Sequence, residues 1–201
     1  MIHRGPIAAT VLSLACCACS SAPVRYYTLT RPSAPRAEAV SAQCCKFEIR
    51  RVAVPPEVDR PELVLRNGEE QASVLANSLW LAPLSEEIRG ALTGEIEIKL
   101  HAATVDAPGT TKPTSIVTVT ITRFESVPAR FVTVAANWRI RRADLPPSAV
   151  FACETTTQLP IESGVSAVVQ GYQKALVAVA DEIAADISRL GSDLEPPCAI
   201  N

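Results

Sequence analysis

Three alternating runs followed by one long apolar stripe constrain this chain most. In 116–124, Val117, Val119 and Ile121 fall on one side and Thr118, Thr120 and Thr122 on the other, the period of two that a half-buried strand needs. Residues 130–141 carry Phe131, Val132, Val134, Ala136, Trp138 and Ile140, and 149–159 carry Val150, Phe151 and a threonine run. The links at 125–129 and 142–148 are short, which predicts an antiparallel meander. The period then changes. Val165, Val168, Tyr172, Leu176, Val179, Ile183, Ile187 and Leu190 recur at spacings of three and four, so 164–190 is a long amphipathic helix. Gly191 caps it, and Pro196-Pro197 prevents any continuation. Its polar side holds Asp181, Glu182 and Asp186. That side is acidic rather than basic, so the stripe reads as core packing and not as a membrane-surface helix.

Upstream the pattern is more broken. Residues 25–30 form a short strand candidate, and 31–43, with Pro32 and Pro35, a loop. The run 47–54 alternates through Phe47 and Ile49 and then slips to Val52 and Val54; it reads as a strand stopped by Pro55-Pro56. An extended piece at Leu63-Val64-Leu65-Arg66 ends at Asn67-Gly68, and 71–79 is read as extended. Pro83 suits the first position of a helix, with Glu86 and Glu87 near its positive end. Leu84, Ile88, Ala91-Leu92 and Ile96 supply a helical stripe. Residues 95–100 alternate well enough to be a strand instead. The fold class is therefore α/β (α+β): a mixed, largely antiparallel sheet with a three-strand meander, packed by one mid-chain helix and one long C-terminal helix.

The N-terminus takes no part in that fold. Arg4 precedes an apolar stretch of about twelve residues, the length of a secretory signal and too short to span a hydrocarbon core of ~20 residues. Cys19 closes it, with Ala18 before and a small polar tether, Ser20-Ser21-Ala22-Pro23, after. This reads as a lipoprotein signal with Cys19 as the acylated residue; Cys17 is the alternative, and an ordinary cleaved secretory signal the plainer reading. Three acyl chains, each methylene contributing about 0.8 kcal/mol, would hold a membrane firmly. The expected organisation is a signal at 1–18, a lipidated N-terminus with first strand and linker at 19–45, one domain at 46–191, and a tail at 192–201.

Hydrophobic residues make up 48% of the 201, enough for a core of one domain. The net charge of −2 excludes a nucleic-acid binder, which needs a basic face. Besides Cys19, the part after the signal holds Cys44, Cys45, Cys153 and Cys198. In an oxidising compartment these four support up to two disulfides. A bond between the neighbours Cys44 and Cys45 is strained, so the expectation is one of them pairing with Cys153 or Cys198. Their spacing is not that of a zinc site.

Chemistry is sparse. Beyond the signal only His101 is a histidine, and one histidine makes neither a triad nor a metal site. There is no GxSxG and no phosphate-cradling glycine loop. Glu86-Glu87 and Glu69-Glu70 read as solvated faces. Arg139, Arg141 and Arg142 read as a solvated sheet face, or more sharply as a surface for an acidic partner. Trp80, just before a helix, is a core anchor or a partner hot spot. Asp59-Arg60 is a local ion pair in a turn or an exposed docking patch. No catalytic residue, cofactor or metal is called for.

Order and spacing carry a family resemblance. After Cys19 come Tyr26-Tyr27-Thr28-Leu29, Val52-Ala53-Val54-Pro55-Pro56, Asp59-Arg60-Pro61, Leu63-Val64-Leu65-Arg66, Trp80-Leu81-Ala82-Pro83-Leu84, Val117-Thr118-Val119, Phe124 and Trp138, closed by the long helix. The chain resembles PqiC-like proteins, the ABC-type transport auxiliary lipoproteins. The resemblance implies a non-enzymatic lipoprotein on the periplasmic face of the outer membrane, held there by its lipid anchor. It would be an auxiliary or docking component of an MCE-type phospholipid transport system, PqiAB-like or ATPase-driven, that maintains outer-membrane integrity. Its implied partners are MCE-domain proteins and the membrane permease of the same system, with self-assembly into a ring among the implied states. Docking candidates on this reading are Asp59, Arg60, Arg66 and Trp80. The four cysteines after the anchor are not part of the family pattern. The competing reading is a structural lipoprotein that scaffolds an unrelated envelope or secretion complex.

Overall fold

The computed structural model describes residues 22–31, 45–68, 70–100, 103–104, 114–146 and 149–191. The chain forms β1 (Arg25–Tyr27), β2 (Lys46–Ala53), β3 (Glu62–Arg66), β4 (Ala72–Trp80), α1 (Leu84–Leu100), β5 (Ala103–Thr104), β6 (Thr114–Val127), β7 (Phe131–Arg142), β8 (Phe151–Pro160) and α2 (Val165–Gly191). The fold class is the α+β arrangement that the periodicity predicts. The meander is β6, β7 and β8, all antiparallel. Where one sheet was expected there are two: a five-stranded sheet in the order β5-β2-β6-β7-β8, and a three-stranded sheet in the order β1-β4-β3. Three parallel pairs produce the mixed character: β2 with β6, β2 with β5, and β1 with β4.

The slip in the 47–54 pattern is a register shift between Ile49 and Arg51. One extra residue lets Phe47 and Ile49, and then Val52, all face the core. A second shift, between Ile121 and Arg123, does the same for β6. Val117, Val119 and Ile121 are buried before it and Phe124 after it. Residues 95–100 continue α1 and bury Ile96 and Leu100, which settles that segment as helix: tertiary contact with α2 wins over its local alternation.

Both helices pack on the five-stranded sheet and on each other. The α2 stripe, from Val168 through Tyr172, Leu176, Val179 and Ile183 to Ile187, is almost wholly buried. Leu63, Leu65 and Trp80 of the small sheet join the same core cluster. At Gly171 the helix meets the sheet region closely: a Cβ there would stand 2.5 Å from Ile161 and 3.0 Å from Val132. The strand β1 lies outside the expected 46–191 domain, yet it is a full member of the small sheet, so the folded unit begins before residue 46.

Cys45 and Cys153 are both disulfide-bonded. They do not bond each other. β6 and β7 lie between their strands, which separates them by about 14 Å, well beyond the ~7 Å that a disulfide spans between Cα atoms. That removes Cys45 with Cys153 from the expected pairings. Cys44, Cys198, Cys17, Cys19, Glu69 and His101 lie outside the described residues.

Candidate docking site

The chain leaving the candidate lipid cysteine is locked into the domain. Tyr26 stands beside Leu79 and Tyr27 beside Trp80 in parallel register, and the Leu81 amide donates to the Tyr27 carbonyl at 2.8 Å. Just beyond β1, Glu87 accepts from the Thr28 hydroxyl at 2.7 Å and from the Leu29 amide at 2.8 Å. The Gln173 side-chain amide of α2 donates to the Thr28 carbonyl at 3.1 Å. Arg31 then pairs with Glu95 at 2.6 Å. Glu87 and Glu95 are eight residues apart, about two turns, so they present to one side of α1. Residues 25–31 are thus held by a strand and by both helices.

Glu87 is 5% exposed, which corrects its reading as a solvated carboxylate. Its two hydrogen bonds satisfy a charge that burial would otherwise penalise heavily. No short-range motif announces this, because both donors lie nearly sixty residues upstream. Asp186 is corrected in the same way. It is 3% exposed and accepts the Trp138 indole N–H at 2.9 Å. Burial raises its pKa; the Trp138 hydrogen bond and the Arg189 charge oppose that, and Glu182 adds to it.

Asp59 and Arg60 sit in the exposed turn before β3, tied by backbone bonds from Val58 and Asp59 to the Pro55 carbonyl. They are not a local ion pair: the partner of Arg60 is Glu62, at 3.0 Å. The Arg60 guanidinium holds the Glu62 carboxyl below its usual range. Trp80 belongs to the same corner, its amide donating to the Pro61 carbonyl at 2.8 Å. Its side chain is 5% exposed and meets Phe124 edge-on at 6.3 Å, while Phe124 stacks on Tyr172 at 3.8 Å. The Trp80 ring is therefore a core anchor and presents no free surface. Arg66 lies at the other end of β3 and pairs with Glu125 at 3.2 Å. Asp59 and Arg60 come together, and Arg66 stands about 20 Å along the strand from them.

The triple-arginine segment divides. Arg139 is exposed, but Arg142 donates to the Leu190 carbonyl at the end of α2 and pairs with Asp144 at 2.6 Å. A cation there complements the negative end of the helix, and it holds the Asp144 carboxyl below its usual range. Among the described residues no cluster of histidine, cysteine and carboxylate side chains is arranged for a metal, and no helix is long and apolar enough to cross a membrane. A groove of about 480 Å³ lies between Ala22–Tyr27 and the start of α2, bordered by Arg25, Asn77, Ser78, Ser163 and Ser166. It is open and polar-edged.

Residues 27–184 match the model of the ABC-type transport auxiliary lipoprotein component family. The chain belongs to that family and is an auxiliary lipoprotein of a transport system. No curated protein matches it. Among solved structures it resembles a protein described only as uncharacterized, at 20% identity and a TM-score of 0.64, covering 83% of this chain and all of that one. It also resembles protein XCC0632 from Xanthomonas campestris, of family DUF330, at 15% identity and a TM-score of 0.61, covering 84% of this chain and 98% of that one. At these identities the likeness is one of fold.

Proposed function

We propose that this chain is a non-enzymatic docking component of an MCE-type phospholipid transport system. It is anchored by acyl chains on Cys19 to the periplasmic face of the outer membrane and helps to maintain that membrane. Its partners are the MCE-domain proteins and permease of the same system, with assembly of several copies as part of the docked state. One observation carries the reading: the segment that leaves the lipid cysteine is built into the domain through β1, Glu87 and Gln173. A tether fixed in this way positions the body near the bilayer, as a docking element requires, where a loose tether would let it roam. The exposed turn at Asp59-Arg60 is the docking candidate on the surface.

Affinity capture of the full acylated chain from solubilised envelopes, read by mass spectrometry, tests this. Co-capture of MCE-domain proteins and a permease, with a leaky outer membrane in a deletion strain, is the expected result. Capture without them, together with an intact permeability barrier after deletion, overturns the proposal. Mass spectrometry of the mature N-terminus identifies the acylated cysteine.

A further inference from the structure

The small sheet has an outward corner that nothing among the described residues covers. Strand alternation sends Arg25 and Tyr27 to one side of β1 and Val24 and Tyr26 to the other. Tyr26 is in register with Leu79, and Leu81 continues that side of β4. Val24 is 50% exposed, Tyr26 62% and Leu81 66%. Three of the five large exposed hydrophobic side chains among the described residues therefore gather at one corner, Tyr26 on β1, Val24 just before it and Leu81 just after the adjacent β4. Glu62, opposite Leu79 on β3, is occupied by Arg60.

The distance to the anchor identifies what covers this corner. Ala22 is three residues from Cys19 and Val24 is five, so the extended chain reaches at most about 11 Å and 18 Å respectively. The backbone is already fixed at β1. An acylated Cys19 thus brings the corner to the headgroup layer, which is itself several ångströms deep. A phenol flanked by aliphatic side chains suits that boundary, because the ring enters the apolar side while its hydroxyl stays wet.

We propose that Val24, Tyr26, Leu79 and Leu81 form a membrane-seating surface that rests on the phospholipid leaflet holding the anchor. This rests on the acyl-anchor reading and adds an orientation to it: the small sheet faces the lipid, and the far end of α1 faces away.

The test uses the full acylated protein reconstituted into phosphatidylethanolamine–phosphatidylglycerol vesicles with brominated acyl chains, which quench tryptophan that touches them. Three variants are compared with the unsubstituted protein, whose Trp80 and Trp138 are buried: Tyr26→Trp, Leu81→Trp, and Ile98→Trp as control. Ile98 is 58% exposed and lies about 21 Å along α1 from Leu84. The expected result is loss of the added emission at 26 and 81 and none at 98. Protein that fails to float with the vesicles overturns the anchor and the seating surface together. Protein that floats, with no quenching at 26 or 81, overturns the seating surface alone and leaves that corner to a protein partner. Equal quenching at all three positions means free tumbling and also overturns it.

Discussion

The Glu87 carboxylate holds the Leu29 amide at 2.8 Å and the Thr28 hydroxyl at 2.7 Å across a sequence gap of nearly sixty residues. The bond joins the segment that follows the candidate lipid cysteine to the first turn of α1. Leu29 itself is 1% exposed, so its amide has no access to water if Glu87 is lost. Removing one partner and stranding the other is the expensive way to lose a hydrogen bond. Glu87→Ala is expected to destabilise the domain by about 3 kcal/mol. Glu87→Gln keeps an acceptor and loses the charge, and is expected to cost about 1 kcal/mol. Urea unfolding of the three proteins checks this; equal stabilities would mean that the anchor segment is not latched. Proteolysis near residue 31 should rise in parallel.

How much of this was legible beforehand depends on the range of the interaction. The slip between Ile49 and Val52 could be read directly, because a bulge shifts a strand's period locally. The α2 stripe was equally plain, since eight apolar residues at helical spacing leave few alternatives. The second sheet was not legible: β1 has three residues, and whether they join β4 or β2 is decided by pairing across the chain. Glu87 and Asp186 were misread for one reason. A carboxylate on a helix reads as solvated unless its donor is known, and Thr28 and Trp138 are far away in sequence. The candidate site shows the same limit. The aromatic character of Trp80 allowed both a core anchor and a partner hot spot, and the edge-on contact with Phe124 that decides for the core lies far away in sequence.

Asp186 gives the fold a pH response whose sign is fixed. Burial raises its folded-state pKa above the ordinary 3.8, so the native state binds a proton more readily than the unfolded chain does. Stability from this group is fully present below the unfolded value and is lost as pH rises through the raised folded value. Asp186→Asn keeps an acceptor for the Trp138 N–H and removes the titration. The variant is expected to gain on the parent as pH rises above the ordinary 3.8, and the gain should level off once pH passes the raised folded value. Denaturant midpoints of both proteins across that range measure it. A gap that does not change with pH would show that Asp186 titrates normally.

Gly171 sits where two opposing effects compete. In an isolated helix, replacing glycine by alanine is worth about 1 kcal/mol in favour of alanine. Here the added methyl would stand 2.5 Å from the Ile161 side chain, just after β8, and 3.0 Å from Val132 on β7, inside contact distance of both. Overpacking of this kind costs about 1–3 kcal/mol, so the clash should win. Gly171→Ala is expected to lower stability by about 1 kcal/mol net. A variant that proves more stable would mean that the helix can lift off the sheet freely.

Tyr172 carries a buried hydroxyl that neighbours the Ser126 hydroxyl without a well-formed hydrogen bond. The ring stacks on Phe124 at 3.8 Å, and both its own oxygen and the Ser126 hydroxyl are buried without a hydrogen bond. Burial pushes the phenol pKa upward. Tyr172→Phe keeps the stack and deletes the unsatisfied group. It is expected to stabilise the protein by about 1 kcal/mol, the scale on which an unpaired buried polar group penalises a fold. A loss of stability would reveal a bound water or a functional contact at that oxygen.

The tightest turn in the meander offers the last test. Arg130 donates to the Val127 carbonyl at 3.0 Å across Pro128-Ala129, and Ala129 has φ of 58°. Proline at the second turn position and a left-handed residue at the third define the type II pattern, whose third position favours glycine. A Cβ in that conformation costs roughly 1–2 kcal/mol, while glycine loses more entropy on folding, about 0.5–1 kcal/mol. The first term is the larger, so Ala129→Gly should stabilise the β6–β7 hairpin by about 0.5 kcal/mol. Because the hairpin joins the two longest strands of the sheet, the gain should appear in global unfolding and not only in local hydrogen exchange. A destabilised variant would mean that the alanine methyl makes a contact worth more than the strain it imposes.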